Sequence, residues 1–243
     1  MFACGPVLLS PHVSAATNAY AVEVLSDLPI AYWKLDELSG TAMTDSSGHG
    51  RNGLYGGLVA LGNPPLITAG KSIKTSTTGT ATVATAPNDA ALRLPGDFSL
   101  EFWIKTGATT GNVLSMEQGG VNYPSWQLGL NSSGCIKLEL RTSNGGSIAA
   151  LIATSAINDN AIHHIVYTKN GSLVTAYVDG APNATGSFTG PPFSSTDPVS
   201  VGCSYAPGYD TSAMIGSLDE VAIYDTALSA ARVLTHYTAG IAP

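Results

Sequence analysis

The segment Asp45-Ser46-Ser47-Gly48-His49-Gly50 has the most evident chemistry in this sequence. Gly48 and Gly50 are free to take positive φ, so the backbone can curl until several carbonyl oxygens point inward beside the Asp45 carboxylate. A hard cation such as calcium is held by such a ring of oxygens. The same residues also make an ordinary solvated turn, and the sequence leaves both readings open. His163-His164 supplies two imidazoles, but neighbours on a strand face opposite ways, which favours packing over a shared metal or a general base. Tyr123, Trp126, Tyr205 and Tyr209 sit on or near loops rich in polar side chains, where aromatic rings can stack on a sugar. Next to Pro124 or Pro207 they equally well pack their own loop. No Gly-x-Ser-x-Gly elbow, phosphate loop or His-Glu-x-x-His helix occurs.

The elements that must position these residues are strands. Charged residues make up 11% of the chain, against about 25% in typical globular proteins. The formal net charge is −7 and the ten Lys and Arg are scattered singly, which argues against a nucleic-acid partner. No apolar run approaches the ~18 residues of a membrane span. Cys4, Cys135 and Cys203 show no metal-binding spacing; a Cys135–Cys203 bridge is open, and buried thiols are the simpler reading.

The first 20 residues, MFACGPVLLSPHVSAATNAY, imitate a signal peptide with Val13-Ser14-Ala15 as cleavage site, but lack a basic start and are interrupted by Pro6 and Pro11. Residues 1–19 read as an arm that docks through Phe2, Val7, Leu8 and Leu9 on its own domain or on a neighbour. Residues 20–243 read as one domain, since neither a repeat nor a linker divides them.

Asn18 caps a short helix to Asp27, and Pro29 launches an aromatic strand through Ile30, Tyr32, Trp33 and Leu35. From Asp97 to Lys105, Phe98, Leu100, Phe102 and Ile104 alternate with Ser99, Glu101, Trp103 and Lys105, predicting a strand with one core face. Ile136, Leu138 and Leu140 alternate with Lys137, Glu139 and Arg141 in the same way. Asn170-Gly171 between two apolar runs is the strongest short hairpin signal available. Two short strands join near Gly79, and Ser229 starts a terminal helix that runs to about Tyr237 and is closed by Gly240. About a dozen short strands with almost no helix predict an all-β antiparallel sandwich with short peripheral helices.

Four segments give this pattern a relative: AYWKLDELSG with TDSSGHGRNG (Ala31–Gly53), FSLEFWIKT (Phe98–Thr106), HHIVYTKNGSLVTAYVDG (His163–Gly180) and GSLDEVAIYDTALSAARVLTHY (Gly216–Tyr237). In this order they resemble the laminin-G-like branch of the concanavalin A-like lectin/glucanase superfamily. The resemblance implies a jelly roll of two curved sheets whose first and last strands are adjacent. It also implies a structural calcium ion held by Asp45 and Asp219, with backbone oxygens from around Gly48, Gly50 and Asn52. The superfamily's glucanases use a Glu-x-Asp-x-x-Glu pair of acids, which this chain lacks. Adjacent Asp219 and Glu220 should face opposite ways, so a non-enzyme is expected. Similar domains occur in bacteriophage virion proteins, for capsid decoration or in tails, and in secreted bacterial carbohydrate-binding modules. The retained Met1, the apolar arm and the low charge favour a virion component bound to other virion proteins or to itself. The extracellular module, with a glycan as partner, is the alternative.

Overall fold

The computed structural model describes residues 18–57, 59–76, 83–118, 121–143, 146–204 and 213–243, with the backbone only at 118 and 121–123. The arm residues Phe2, Val7, Leu8 and Leu9 and the aromatics Tyr205 and Tyr209 lie outside the described residues, as does the Tyr123 side chain. In chain order the elements are α1 (Ala19–Ser26), β1 (Ala31–Trp33), β2 (Ala42–Met43), β3 (Gly53–Tyr55), β4 (Val59–Asn63), β5 (Ser72–Thr75) and β6 (Ala84–Ala86). After a 3-10 turn at Ala91–Arg93 come β7 (Phe98–Lys105), β8 (Gly111–Gln118), β9 (Val121–Leu130), β10 (Cys135–Leu140), β11 (Ala149–Ala156), β12 (Ile162–Asn170) and β13 (Leu173–Val178). The chain closes with β14 (Ala181–Ser187), β15 (Val199–Val201), β16 (Gly216–Tyr224) and α2 (Ala230–Ile241).

Two eight-stranded antiparallel sheets result. The first runs β14-β13-β12-β7-β16-β5-β4, with β1 also on β16; the second runs β11-β10-β9-β8-β15-β6-β3-β2. This is the expected sandwich, with the first strand against the last: Ala31 pairs with Ile223 and Trp33 with Val221. The main core between the sheets takes Phe98, Leu100, Phe102 and Ile104 from β7 and Ile136, Leu138 and Leu140 from β10, as their alternation predicts. Cys135 and Cys203 are buried free thiols.

The expectation that β7 has only one core face is corrected. Glu101 and Trp103 are also fully buried, because α1 and α2 lie across the outer face of the first sheet and form a second cluster with Tyr20, Val24, Tyr32, Trp103, Val166, Tyr224 and Val233. Asn18 caps α1 by accepting the Ala21 N–H at 3.1 Å. Ser229 caps α2 through the Arg232 N–H. Arg232 then ties the two helices together through Asp27 and Glu23, each at 2.8 Å. Gly240 does not close α2 but lies within it. It lets the helix approach the sheet: a Cβ there would sit 2.3 Å from Trp103 Cζ2. Among the described residues no helix is long and apolar enough to cross a membrane.

Candidate functional site

The most concentrated set of titratable groups lies beneath the helix layer. Glu101 Oε1 accepts from Tyr20 Oη at 2.9 Å and meets His164 Nε2 at 2.7 Å and His236 Nδ1 at 3.0 Å; Oε2 accepts from Tyr224 Oη at 2.7 Å. The far side of His236 meets Asp27 Oδ2 at 2.9 Å. Burial alone would push the Glu101 carboxyl up, but His236 and His164 beside it hold it well below the usual range. His236 responds in the opposite sense: burial disfavours its charge, yet Glu101 and Asp27 raise its pKa overall. Glu101, His164 and His236 are all 0% exposed. The cluster therefore has no face to offer a substrate, and its chemistry is to hold α1 and α2 on the sheet. As the strand geometry predicts, His163 faces the other way, between Asp179 at 2.9 Å and Asp159 at 3.1 Å.

Asp219 and Glu220 correct the expectation of opposite faces. Glu220 sits at φ 53°, in a bulge where the register of β16 on β7 shifts. The bulge turns both carboxyls under the helix layer: Asp219 Oδ2 accepts the Leu66 N–H at 2.9 Å, and Glu220 accepts from Tyr32 Oη and from Asn18 Nδ2. Asp219 Oδ1 is buried without a hydrogen-bond partner. Burial, with Glu220 close by, raises the Asp219 pKa strongly. Burial likewise lifts Glu220 to about 7, against the opposing bonds from Tyr32 and Asn18.

The Asp45 loop has the expected curl, with Gly48 at φ 89° and Gly50 at φ 72°. Its carboxylate, however, organises amides. Oδ1 accepts the N–H groups of Tyr32 at 3.0 Å and Ser47 at 2.9 Å, and Oδ2 accepts that of Arg51 at 2.8 Å. Asn52 Oδ1 in turn accepts the Asp45 N–H at 2.8 Å. Burial opposes ionisation, but these bonds and the Ser47 hydroxyl lower the Asp45 pKa on balance. Calcium takes six to eight oxygens, whereas no group of three or more His, Cys, Asp or Glu among the described residues is placed to hold a metal. Asp45 and Asn52 are thus engaged by backbone N–H groups, whereas Asp219 spends Oδ2 on Leu66 and keeps Oδ1 without a hydrogen-bond partner.

Trp126 is also reassigned: it is fully buried in the main core and donates from Nε1 to the Leu92 carbonyl at 3.2 Å. It does not face a surface ligand. The described surface offers instead a groove that the sequence did not reveal, about 760 Å³ in volume and lined by Arg93, Pro95, Thr142, Pro191, Phe193 and Ser194 among others. The turn at Ala91–Arg93, the residue after Arg141, and the β14–β15 connection contribute to it. That connection is fixed in place. The Phe193 N–H donates to the Arg141 carbonyl at 2.8 Å, and the Phe193 carbonyl accepts from Ser125 Oγ at 2.5 Å.

With this geometry in view, the comparisons are informative. The family model described as the concanavalin A-like lectin/glucanases superfamily matches residues 77–234, more than half of the chain. The chain belongs to that superfamily. Among solved structures, the binding domain of Paraclostridial Mosquitocidal Protein 1 is similar with a TM-score of 0.65 at 17% identity, over 88% of this chain and 52% of that one. The botulinum neurotoxin type G receptor binding domain gives a TM-score of 0.62 at 18% identity, over 86% and 51%. A Trypanosoma rangeli sialidase gives 0.58 at 13% identity, over 85% and 32%. At such identities the likeness is one of fold. The chain spans about half the length of the two toxin domains. No curated protein sequence matches it.

Proposed function

We propose that this chain is a non-catalytic recognition module for carbohydrate. The observation that carries this reading is the groove of about 760 Å³, walled by Pro95, Pro191 and Phe193 and edged by the hydroxyls of Thr142 and Ser194. Its size falls within the ~300–1,000 Å³ of ordinary ligand pockets. Apolar walls with a few hydroxyls match a sugar, which has both C–H faces and O–H edges. The main buried acids support a non-enzymatic role, since Glu101, Asp219 and Glu220 are all fully enclosed. On a glycan array the full chain is expected to retain a subset of glycans without hydrolysing them. An array with no retained glycan, or release of sugar from one, refutes the reading.

The setting we infer is a virion, with residues 1–19 as the docking arm; the secreted module is the alternative. The apolar run of Phe2 and Val7 to Leu9 supports docking, because exposed apolar area is costly at ~25 cal/mol per Å². Asn18 belongs to the domain, through its cap and its bond to Glu220 at 3.1 Å. The informative deletion therefore stops at residue 17. The shortened protein should keep its melting temperature and lose assembly into a particle. If the natural protein is found as a free monomer trimmed near Ala16, the virion setting falls.

We infer further that the Asp45 loop folds without calcium. Chelation should leave the melting temperature unchanged, while Asp45→Ala, which strands three amide donors, should cost about 2 kcal/mol. A fall in melting temperature on chelation that Asp45→Ala removes would restore calcium ligation by Asp45 with the Gly48 and Gly50 carbonyls.

A further inference from the structure

We propose that the Arg93 groove selects a sugar bearing a carboxylate, such as a uronic acid; this rests on the reading of the chain as a glycan-recognition module. The sequence has ten Lys and Arg against seventeen Asp and Glu, and among the described residues three of these cations sit in ion pairs with carboxylates. Arg51 holds Asp89, Lys137 holds Glu139, and Arg232 holds both Asp27 and Glu23, all at 2.7–2.8 Å. Arg93 is different. Its described acceptors are neutral: Nη1 donates to Ser194 Oγ at 3.2 Å and Nη2 donates to Asn88 Oδ1. Its Nε is buried without a hydrogen-bond partner. A guanidinium carries five N–H donors; with Nε enclosed, those that can serve the groove are the Nη1 and Nη2 hydrogens not spent on Ser194 and Asn88.

Nearby Asp89 acts on Arg93 only at longer range, with Oδ2 bonded to Arg51 at 2.8 Å and Oδ1 to the Ala91 N–H at 2.9 Å. Asn88 is itself fixed, donating to the carbonyls of Asp197 at 2.6 Å and Ser195 at 3.2 Å. The guanidinium is thus held in position before any ligand arrives, which lowers the entropy cost of binding. A carboxylate is its natural complement, through short charge-assisted hydrogen bonds. Arg93 is the only Lys or Arg in the described lining of the groove, which suits one singly charged group better than a phosphate. Pro95, Pro191 and Phe193 would then face the ring that carries the carboxylate.

The test is calorimetry on the full chain with oligogalacturonate and with its carboxyl-reduced counterpart, alongside a sulfated galactan and an acidic peptide. The uronate should bind about tenfold or more tightly than the reduced sugar, the scale of a charge-assisted hydrogen bond. Arg93→Gln should abolish that preference while leaving the melting temperature near that of the wild type. Thr142→Trp, at an exposed position of the groove lining that leaves the Ser194 and Asn88 bonds of Arg93 intact, should weaken both sugars. Equal binding of the two sugars, or a preference that survives Arg93→Gln, overturns the carboxylate inference and leaves the glycan module standing. Preference for the sulfated galactan or the peptide over the uronate also overturns it. Failure to bind any sugar in calorimetry and on the array removes both readings.

Discussion

Glu101 keeps its charge inside the protein because two imidazoles and two phenols replace the water it has lost. The linkage between pH and stability follows from the direction of each shift. Glu101 is held low, so its contribution is present above the ordinary carboxylate range and is lost as pH falls toward its depressed pKa. His236 is raised, so its contribution is present below the ordinary imidazole value of 6.5 and is lost as pH rises through the folded pKa. His163 behaves in the same way, raised chiefly by its hydrogen bond to Asp179. Glu220 and Glu117 are pushed up to about 7 by burial, so their cost grows as pH climbs from the ordinary 4.5 to 7. These effects agree in direction above pH 5. Melting temperature should peak in mildly acidic solution, near pH 5 to 6, and decline toward pH 8. Glu101→Gln should cost about 3 kcal/mol at the peak and return the His236 titration, followed by NMR, toward its ordinary value. A flat profile, or an unmoved His236, would refute this account.

At the scale of elements, α2 shows how one position decides a docking geometry. Replacing a helical glycine by alanine ordinarily stabilises by about 1 kcal/mol. At Gly240 the added Cβ would lie 2.3 Å from the Trp103 ring, and overpacking of that kind costs about 1–3 kcal/mol. Gly240→Ala is therefore expected to lower the melting temperature, whereas Gly240→Ala combined with Trp103→Phe should recover part of the loss. The sequence could not announce this contact, since a glycine near a chain end reads first as a helix stop. The strands were legible where period and turn chemistry agreed: β10 by strict alternation, and the β12–β13 hairpin by Asn170-Gly171, with Gly171 at φ 58°. β14 was not, because Pro182 and Gly186 deprive it of β-propensity and it survives only as an edge strand. Glu101 reads as a solvent-facing residue, and only the tertiary arrival of α1 and α2 reverses that. The bulge at Glu220 is likewise invisible in a run of ordinary strand residues. The Arg93 groove escaped detection because separate chain segments meet there and no local spacing links them.

The described domain is closed by its first and last strands. Tyr32 and Glu220 are hydrogen-bonded across 188 residues, and β16 joins β1, β5 and β7 within one sheet. Such non-local pairing makes folding slow, in the range of milliseconds to seconds. Refolding followed by Trp fluorescence should fall in that range, and a microsecond phase accounting for the full amplitude would contradict it. A mechanical consequence also follows from how β1 meets β16. Ala31, at the start of β1, pairs with Ile223, near the end of β16. Tension applied between the two ends of the domain therefore acts at one end of this ladder and opens its hydrogen bonds in succession rather than loading them all together in shear. Before the ladder feels that load, it must cross the contacts of Arg232 with Asp27 and Glu23 that join the helices. These partly exposed ion pairs each contribute only about 0–1 kcal/mol. They act as a fuse, so in a pulling experiment the domain is expected to give way at low force.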